Sequence, residues 1–159
     1  MPILIDGNNL LGALAEVHEA LGRLGLCQLL GGLIAAGQTV EVVFDGPAPQ
    51  AGLARQIAET GIITAYSAGE PADELIGRRI ADSSAPRRLT VVSSDRQIRQ
   101  AARRRRCHGI RSEDFARQLL RMRHSPPPKP PAEPTEKRTG LSPAHRRQWL
   151  AEFGLDEDA

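Results

Sequence analysis

The sequence predicts an α/β protein, a three-layer sandwich with a central parallel sheet that helices cover on both faces. Short aliphatic runs, typical of buried strands, alternate along the chain with segments that have the apolar spacing of helices. The 159 residues are about one domain's worth, and 40% hydrophobic with 25% charged residues is ordinary for a globular protein. Alternation of this kind predicts strands joined by crossover helices.

Each element rests on a local pattern. Strands are predicted where aliphatic or β-branched residues run together, over residues 2–5, 40–44, 62–66, 89–92 and around 110. Helices are predicted where apolar residues recur three and four positions apart, over residues 10–24, 26–36, 53–57, 70–82, 96–106 and 112–122. Gly37 is placed to end the second helix, Pro71 stands near the first turn of the fourth, and Ser112 is expected to cap the last.

The pattern changes after residue 124. Six of the twelve prolines fall between residues 126 and 134, a density that predicts a semi-rigid extended linker. Beyond it, Trp149 and Phe153 lie on a predicted short helix that precedes an acidic tail. We therefore expect an α/β domain, a proline-rich linker and a short C-terminal helix over residues 1–124, 125–140 and 141–159.

Composition excludes several classes of protein. Two cysteines, Cys27 and Cys107, rule out a disulfide framework and a four-cysteine zinc site, and fit a reducing cytoplasm. No run approaches the ~18 apolar residues of a membrane helix. The start of the chain has no basic stretch before an apolar run, so we expect no secretory signal. These features predict a cytoplasmic protein that does not enter a membrane.

The net charge of +2 conceals two halves of opposite sign. Residues 1–77 carry two basic and nine acidic residues, whereas residues 78–123 carry fourteen basic and four acidic ones. Nineteen of the 21 basic residues are arginine. This asymmetry predicts a cation site beside a surface for a polyanion. A solvated, arginine-rich surface without a ligand is the alternative.

Four aspartates stand where the chain reaches the carboxyl edge of the predicted sheet. Asp6, Asp45 and Asp95 end the first, second and fourth strands, and Asp73 opens the helix after the third. Ligands bind at this edge in open parallel sheets, and crowded carboxylates stay ionised together only when cations join them. Oxygen ligands without histidine or cysteine favour Mg²⁺ or Mn²⁺. Each aspartate alone could be a turn or cap residue, but the set of four favours a metal site.

Polar residues beside the aspartates are candidate supports for this site. Asn8 is placed to orient a carboxylate or a phosphate without adding charge. The other candidates, which could equally serve turns or helix starts, are Asn9, Ser93, Ser94, Glu70 and Glu74. Glu113 is expected to serve only the start of the last helix.

The arginine-rich helix after Asp95 predicts a polyanionic substrate. Arg96, Arg99 and Arg103 share one face of that helix, and Arg104 extends the basic stretch. Arginine forms bidentate hydrogen bonds with phosphate. Few aromatic residues are present for base stacking, so we expect recognition mainly through phosphate contacts. Acids, a hard metal ion and a phosphate backbone together favour metal-assisted phosphodiester hydrolysis. Neither a P-loop nor a serine–histidine pairing is evident.

Four segments resemble the YacP-type branch of the NYN domain, in the PIN-like nuclease superfamily. They are Ile-Asp-Gly-Asn-Asn-Leu, Val-Phe-Asp-Gly, Ala-Asp-Glu-Leu-Ile and Val-Val-Ser-Ser-Asp-Arg, at residues 5–10, 43–46, 72–76 and 91–96. The resemblance implies a Rossmann-like PIN fold and a metal-dependent endoribonuclease of bacterial RNA processing or mRNA decay. The resemblance implies that Asp6, Asp73 and Asp95 match the family's core metal-binding acids. Asp45 matches the further acid of the Phe-Asp-Gly turn, and Asn8 matches the polar residue beside the first acid.

Two readings of the function follow. The leading one is a Mg²⁺- or Mn²⁺-dependent endoribonuclease in which Asp6, Asn8, Asp73 and Asp95 are catalytic. Arg96 stands where many relatives have another acid, so one metal ion and two are both open. The alternative is a non-catalytic RNA-binding module or an adaptor, whose C-terminal helix would dock on the ribosome or an RNA-decay partner.

Overall fold

Five strands and six α-helices alternate along the part of the protein that a computed structural model describes, residues 1–124. The strands are β1 (Pro2–Asp6), β2 (Thr39–Phe44), β3 (Ile63–Tyr66), β4 (Thr90–Val92) and β5 (His108–Ile110). The helices are α1 (Gly7–Val17), α2 (Arg23–Ala35), α3 (Ala51–Glu59), α4 (Ala72–Asp82), α5 (Arg96–Arg104) and α6 (Ser112–His124), and Pro86–Arg88 form a 3-10 turn. The predicted linker and C-terminal helix lie outside these residues.

All five strands are parallel and stand in the order β3-β2-β1-β4-β5. The central strand is β1, where Ile5 pairs with Val42 on one side and Val92 on the other. The chain therefore crosses to opposite sides of β1 in its two halves. This arrangement places the end of β1, at Asp6, in the crevice where parallel α/β sheets bind ligands.

The sheet has an apolar core on each face. Ile5 belongs to one core together with Leu10 of α1, whereas its neighbour Leu4 belongs to the other, with Ile76 of α4 and Ile98 of α5. Side chains alternate between the two faces along a strand, so a continuous aliphatic run fills both cores at once. The predicted three-layer α/β sandwich is confirmed.

The single helix predicted over residues 10–24 is wrong. α1 ends at Val17, and His18 caps it with extended backbone angles (φ −149°, ψ −173°). The next helix, α2, begins only at Arg23. Leu21, between the helices, still packs against the core, so the apolar spacing continued although the helix did not. Spacing alone cannot distinguish one helix from two whose apolar sides meet the same core.

The last helix also begins differently from the prediction. Ser112 is its first residue and does not cap it, since Phe115 donates its backbone N–H to the carbonyl oxygen of Arg111 at 3.0 Å. Ser112 is fully buried, and its hydroxyl finds no hydrogen-bond partner among residues 1–124. No helix in the described part of the chain combines the length and apolar character that a bilayer span requires.

The junction between β1 and α1 depends on a close approach. A Cβ atom on Gly7 would lie 2.6 Å from two ring carbons of Phe44 and 2.8 Å from Cγ1 of Val42. Only glycine lets the helix begin directly against β2. This approach sets the position of Asp6, which is both the last residue of β1 and the N-cap of α1.

Candidate active site

Asp6 is held in place by two hydrogen bonds from different parts of the chain. Its Oδ1 accepts from the backbone N–H of Asn9 at 3.1 Å, which caps α1. Its Oδ2 accepts from the hydroxyl of Ser93 at 3.1 Å. Because each oxygen is bonded to a different segment, the orientation of this half-buried carboxylate at the sheet edge is defined.

Ser93 joins Asp6 to Asp95. While its hydroxyl donates to Asp6, its oxygen accepts from the backbone N–H of Asp95 at 3.0 Å. Asp95 in turn caps α5, because its Oδ1 accepts from the N–H groups of Gln97 at 2.7 Å and Ile98 at 3.1 Å. Both capping bonds use Oδ1, so the cap does not require Oδ2.

Asp73 lies on the first turn of α4, which packs against β1, β2 and α5. Its Oδ1 accepts the N–H of Glu74 at 3.0 Å. Glu74 is exposed, and its charge acts on Arg78 four residues later. Glu70 is bound by the same arginine through two bonds of 2.5 and 2.7 Å, which lower the pKa of Glu70. Asp73, unlike Glu70 and Glu74, contributes to the pKa of Asp6 through its negative charge.

The pKa of Asp6 is raised above its ordinary value of 3.8. Burial is the largest cause, and the negative charges of Asp95 and Asp73 add to it, whereas the hydrogen bonds from Asn9 and Ser93 act in the opposite direction. Repulsion between carboxylates identifies a place where a cation would be stabilised. Three of the four predicted acids therefore meet in one electrostatic environment.

The neighbouring turns are tied together by Asn9 and Ser94. The amide oxygen of Asn9 accepts the backbone N–H of Ser94 at 3.0 Å. The Ser94 hydroxyl donates to Glu113 and accepts the N–H of Ser112 at 3.0 Å. The bond from Ser94 lowers the pKa of Glu113, which is also paired with Arg111 at 3.4 Å. Glu113 thus reaches the edge of the site, beyond its expected role at a helix start.

Asp45 is held apart from the other acids. It is exposed, and its Oδ1 accepts from the hydroxyl of Ser67 at 2.9 Å, on the β3 side of the sheet. Its backbone N–H donates to Oδ1 of Asn8 at 3.3 Å. Arg23 donates to the carbonyl oxygens of Asp45 at 2.7 Å and Pro47 at 2.9 Å.

Ser67 and Arg23 are the supporting residues that the sequence analysis missed. Ser67 follows a strand at the same edge as the acids, so its position alone could have identified it. Arg23 lies over the rings of Phe44 and Tyr66, 5.3 and 5.4 Å from their centroids. Nothing in the sequence near residue 23 indicates this contact, because it exists only after α2 has packed beside β2.

The donor chemistry at this edge fits a hard divalent cation, although the ligands are not yet gathered. Asp6, Asp73 and Asp95 offer only oxygen atoms, which Mg²⁺ and Mn²⁺ prefer. Within residues 1–124, no three histidine, cysteine, aspartate or glutamate side chains already stand close enough to hold a metal ion.

The arginines of α5 line a recess on the surface of the protein. It has a volume of about 260 Å³ and is bounded by Arg96, Arg99, Gln100 and Arg103. Arg104 is exposed at the end of the helix and does not line it. A larger recess of about 600 Å³, between α2 and α6, is lined mainly by apolar side chains and contains none of the candidate acids.

The fold and the acidic edge define the class of protein, a Rossmann-like α/β domain with carboxylates at the switch point of its sheet. The chain belongs to the YacP-like NYN domain family, whose model matches residues 3–143. That family is related to the PIN-like nucleases. No curated protein matches the chain.

Two solved structures of Rae1 (YacP) from Bacillus subtilis are similar to this chain. A single-substitution mutant has 19% sequence identity and a TM-score of 0.58, over 77% of this chain and 76% of Rae1. The other structure has 18% identity and a TM-score of 0.56, over 97% of this chain and 84% of Rae1. At this identity the similarity concerns the fold, and it confirms the architecture expected from the resemblance.

Proposed function

We propose that this protein is a divalent-metal-dependent endoribonuclease that acts in the cytoplasm, in bacterial RNA processing or mRNA decay. The observation that carries the proposal is the juxtaposition of acids at the carboxyl edge, where Ser93 bonds both to Asp6 and to the backbone N–H of Asp95 and the charges of Asp95 and Asp73 act on Asp6. Such carboxylates are stabilised together by a cation. Membership of a family related to PIN-like nucleases supports RNA hydrolysis as the use of that cation.

In this proposal Asp6, Asp73 and Asp95 hold Mg²⁺ or Mn²⁺, and Asp45 completes the set or positions water. A bound divalent ion supplies activation of water and stabilisation of the charge that develops on the phosphate. Asp6 needs no large movement, because Asn9 and Ser93 already orient both of its oxygens. The Oδ2 atom of Asp95 can turn toward the ion while Oδ1 continues to cap α5.

The polar neighbours keep the acids in position during the reaction. Ser93 orients Asp6 directly, and Asn9 fixes the turn that carries Ser94 and Asp95. Asn8 is exposed at the edge, where its amide can contact the scissile phosphate without repelling it. The charge of Glu74 acts on Arg78, and we assign Glu74 no contact with the reacting atoms.

RNA approaches along the basic second half of the domain. Arg96 follows Asp95 directly, and Arg99 and Arg103 continue the same face away from the acids. Guanidinium groups bind phosphate oxygens in pairs and remain charged at all physiological pH values. The RNA backbone is therefore led from the arginines to the acids.

The decisive experiment incubates end-labelled RNA with the full chain in Mn²⁺ or in EDTA, beside Asp6→Asn and Glu59→Gln. Glu59 ends α3, which leads back to the start of β3, so it lies at the opposite edge of the sheet. We expect cleavage in Mn²⁺ by the wild type and Glu59→Gln, and none in EDTA or by Asp6→Asn. Cleavage by Asp6→Asn at the wild-type rate would refute the proposal.

A non-catalytic RNA-binding module is the second candidate. It is favoured by the absence, within residues 1–124, of a preformed group of three metal-ligating side chains. Intact RNA in both Mn²⁺ and EDTA, together with tight binding, would select this function. A ribosome or RNA-decay partner for the C-terminal helix remains a proposal that deletion of residues 125–159 would test.

A further inference from the structure

The recess on α5 presents a row of three arginine side chains to solvent. Its charged members are spaced at Arg96, Arg99 and Arg103, so they recur once per helical turn on one side. The opposite side of the helix carries Ile98 and Ala102, which are 2% and 1% exposed in the second core. Because packing fixes the rotation of α5, the three guanidinium groups are held toward solvent together.

These arginines have no carboxylate partner in the described part of the chain. The ion pairs found there join Arg78 to Glu70, Arg79 to Glu41, Arg111 to Glu113 and Arg117 to Asp114. The recess thus gathers three positive charges that no carboxylate of residues 1–124 neutralises. Gathered cations repel one another, and a polyanion relieves that repulsion.

The dimensions of the recess suit a strand better than a single ion. Arg103 lies seven positions after Arg96, which is roughly 10 Å along the helix at about 1.5 Å per residue. One phosphate group cannot contact both ends of that distance. In an extended single strand the phosphates lie farther apart than the axial spacing of about 3.4 Å in a duplex, so two or three neighbours can lie along it.

One end of the recess lies next to the candidate metal-binding acids, and the other end lies farther along α5. Asp95 caps the first turn of α5, and Arg96 is the next residue, so one end of the recess adjoins the candidate metal ligands. From there the arginines lead away along the helix toward Arg103. A strand whose scissile phosphate lies at the acids therefore enters the recess on one side of the cleavage point only.

We propose that the α5 recess binds the two or three RNA phosphates adjacent to the scissile one, all on the same side of it. The direction of this contact rests on the proposed nuclease function, whereas the phosphate contact itself does not. The chemistry recognised is the sugar-phosphate backbone of a single strand. Sequence discrimination is not expected from guanidinium–phosphate contacts alone.

Binding is tested without cleavage, by titrating a fluorescent single-stranded RNA in EDTA over a series of salt concentrations. The variant R99Q/R103Q is compared with the matched control R87Q/R88Q, whose arginines lie in the turn before β4, at the opposite edge of the sheet. We expect the salt dependence of log K to fall by roughly 1.4 for R99Q/R103Q, about 0.7 per lost contact. The control should keep the wild-type slope.

An equal decrease of the salt dependence in the two variants would show that diffuse positive charge attracts the RNA. That result would overturn the proposal that the recess is a phosphate-binding site. Circular dichroism and thermal melting of both variants exclude unfolding as the cause. If the wild type binds as expected but cleaves nothing in Mn²⁺, the nuclease function fails and the phosphate contact stands. The two outcomes are thereby distinguished.

The one-sided geometry is tested with RNAs that carry a single neutral methylphosphonate linkage. After the cleavage point is mapped, the linkage is placed at each of three positions on either side of it. On one side of the cleavage point, the neutral linkage should weaken RNA binding by the wild type severalfold. The same linkage should have little further effect on RNA binding by R99Q/R103Q. The proposal would be refuted if the neutral linkage weakened binding equally on both sides of the cleavage point. It would also be refuted if, on both sides, the linkage affected the wild type and R99Q/R103Q alike.

Discussion

The Ser93 hydroxyl donates a hydrogen bond of 3.1 Å to the carboxylate of Asp6, joining two residues that are 87 positions apart in the chain. The same oxygen accepts the backbone N–H of Asp95 at 3.0 Å. One buried hydroxyl therefore sets the spacing between the acids at the ends of β1 and β4. In the proposed nuclease, this makes Ser93 a positioning residue.

Replacing Ser93 with alanine should lower RNA cleavage by roughly 10- to 100-fold, the range typical of residues that orient metal ligands. The substitution also removes a bond that lowers the pKa of Asp6, so the acid limb of the pH–rate profile should move to higher pH. The measurement is kcat/KM against pH, with the exposed Ser84→Ala as control. An unshifted acid limb would contradict the assigned role.

Asp6→Asn should abolish cleavage while it stabilises the fold near neutral pH. Because the folded-state pKa of Asp6 lies above 3.8, the folded protein holds this proton more tightly than the unfolded chain does. The resulting contribution to the free energy of unfolding is complete below about pH 3.8 and is lost as the pH rises through the folded-state pKa. Asparagine has no such proton to lose.

Urea denaturation of Asp6→Asn and wild type, repeated from acid to neutral pH without added metal, measures this effect. The free energy of unfolding of the wild type should decline relative to that of the variant as the pH rises. A variant that is less stable than the wild type at neutral pH would indicate that the Asp6 charge is favourably paired, against the structure.

Asp45→Asn should weaken Mn²⁺ binding much less than Asp6→Asn does. Asp45 is exposed and bound to Ser67, whereas Asp6 shares its surroundings with Asp73 and Asp95. Calorimetric or paramagnetic titration of Mn²⁺ into each full-length variant makes the comparison. Equal losses of Mn²⁺ binding in the two variants would show instead that Asp45 is a full metal ligand.

Gly7→Ala should destabilise the protein by about 1–3 kcal/mol, the usual cost of an overpacked core. The new methyl group would lie 2.6 Å from the Phe44 ring, and the backbone on both sides is fixed by β1 and α1. Chemical denaturation measures the loss.

Gly12→Ala, in the same helix, is the matched control because a Cβ atom there meets nothing within 4 Å. Alanine in a helix interior is favoured over glycine by about 1 kcal/mol, so this variant should gain stability. Equal changes in the two variants would show that helix propensity, and not the Phe44 contact, decides the effect at Gly7.

Much of the fold could be predicted because its signals are local. The aliphatic runs at β1 and β2 and the alternation with helices are properties of neighbouring residues, and they predicted a parallel sheet with Asp6, Asp45 and Asp95 at the strand ends. The break between α1 and α2 could not be predicted, because Leu21 continues the apolar spacing while the backbone leaves the helix.

Local sequence patterns were enough to predict which residues reach the carboxyl edge of the sheet and that a basic helix follows Asp95. How these residues interact became visible only in the folded protein, where Asp45 bonds to Ser67, Glu70 pairs with Arg78, and the charges of Asp95 and Asp73 act on Asp6. The physical reason is that strands and helices follow from short-range patterns, whereas a pKa or an ion pair depends on distances that exist only after distant segments have packed.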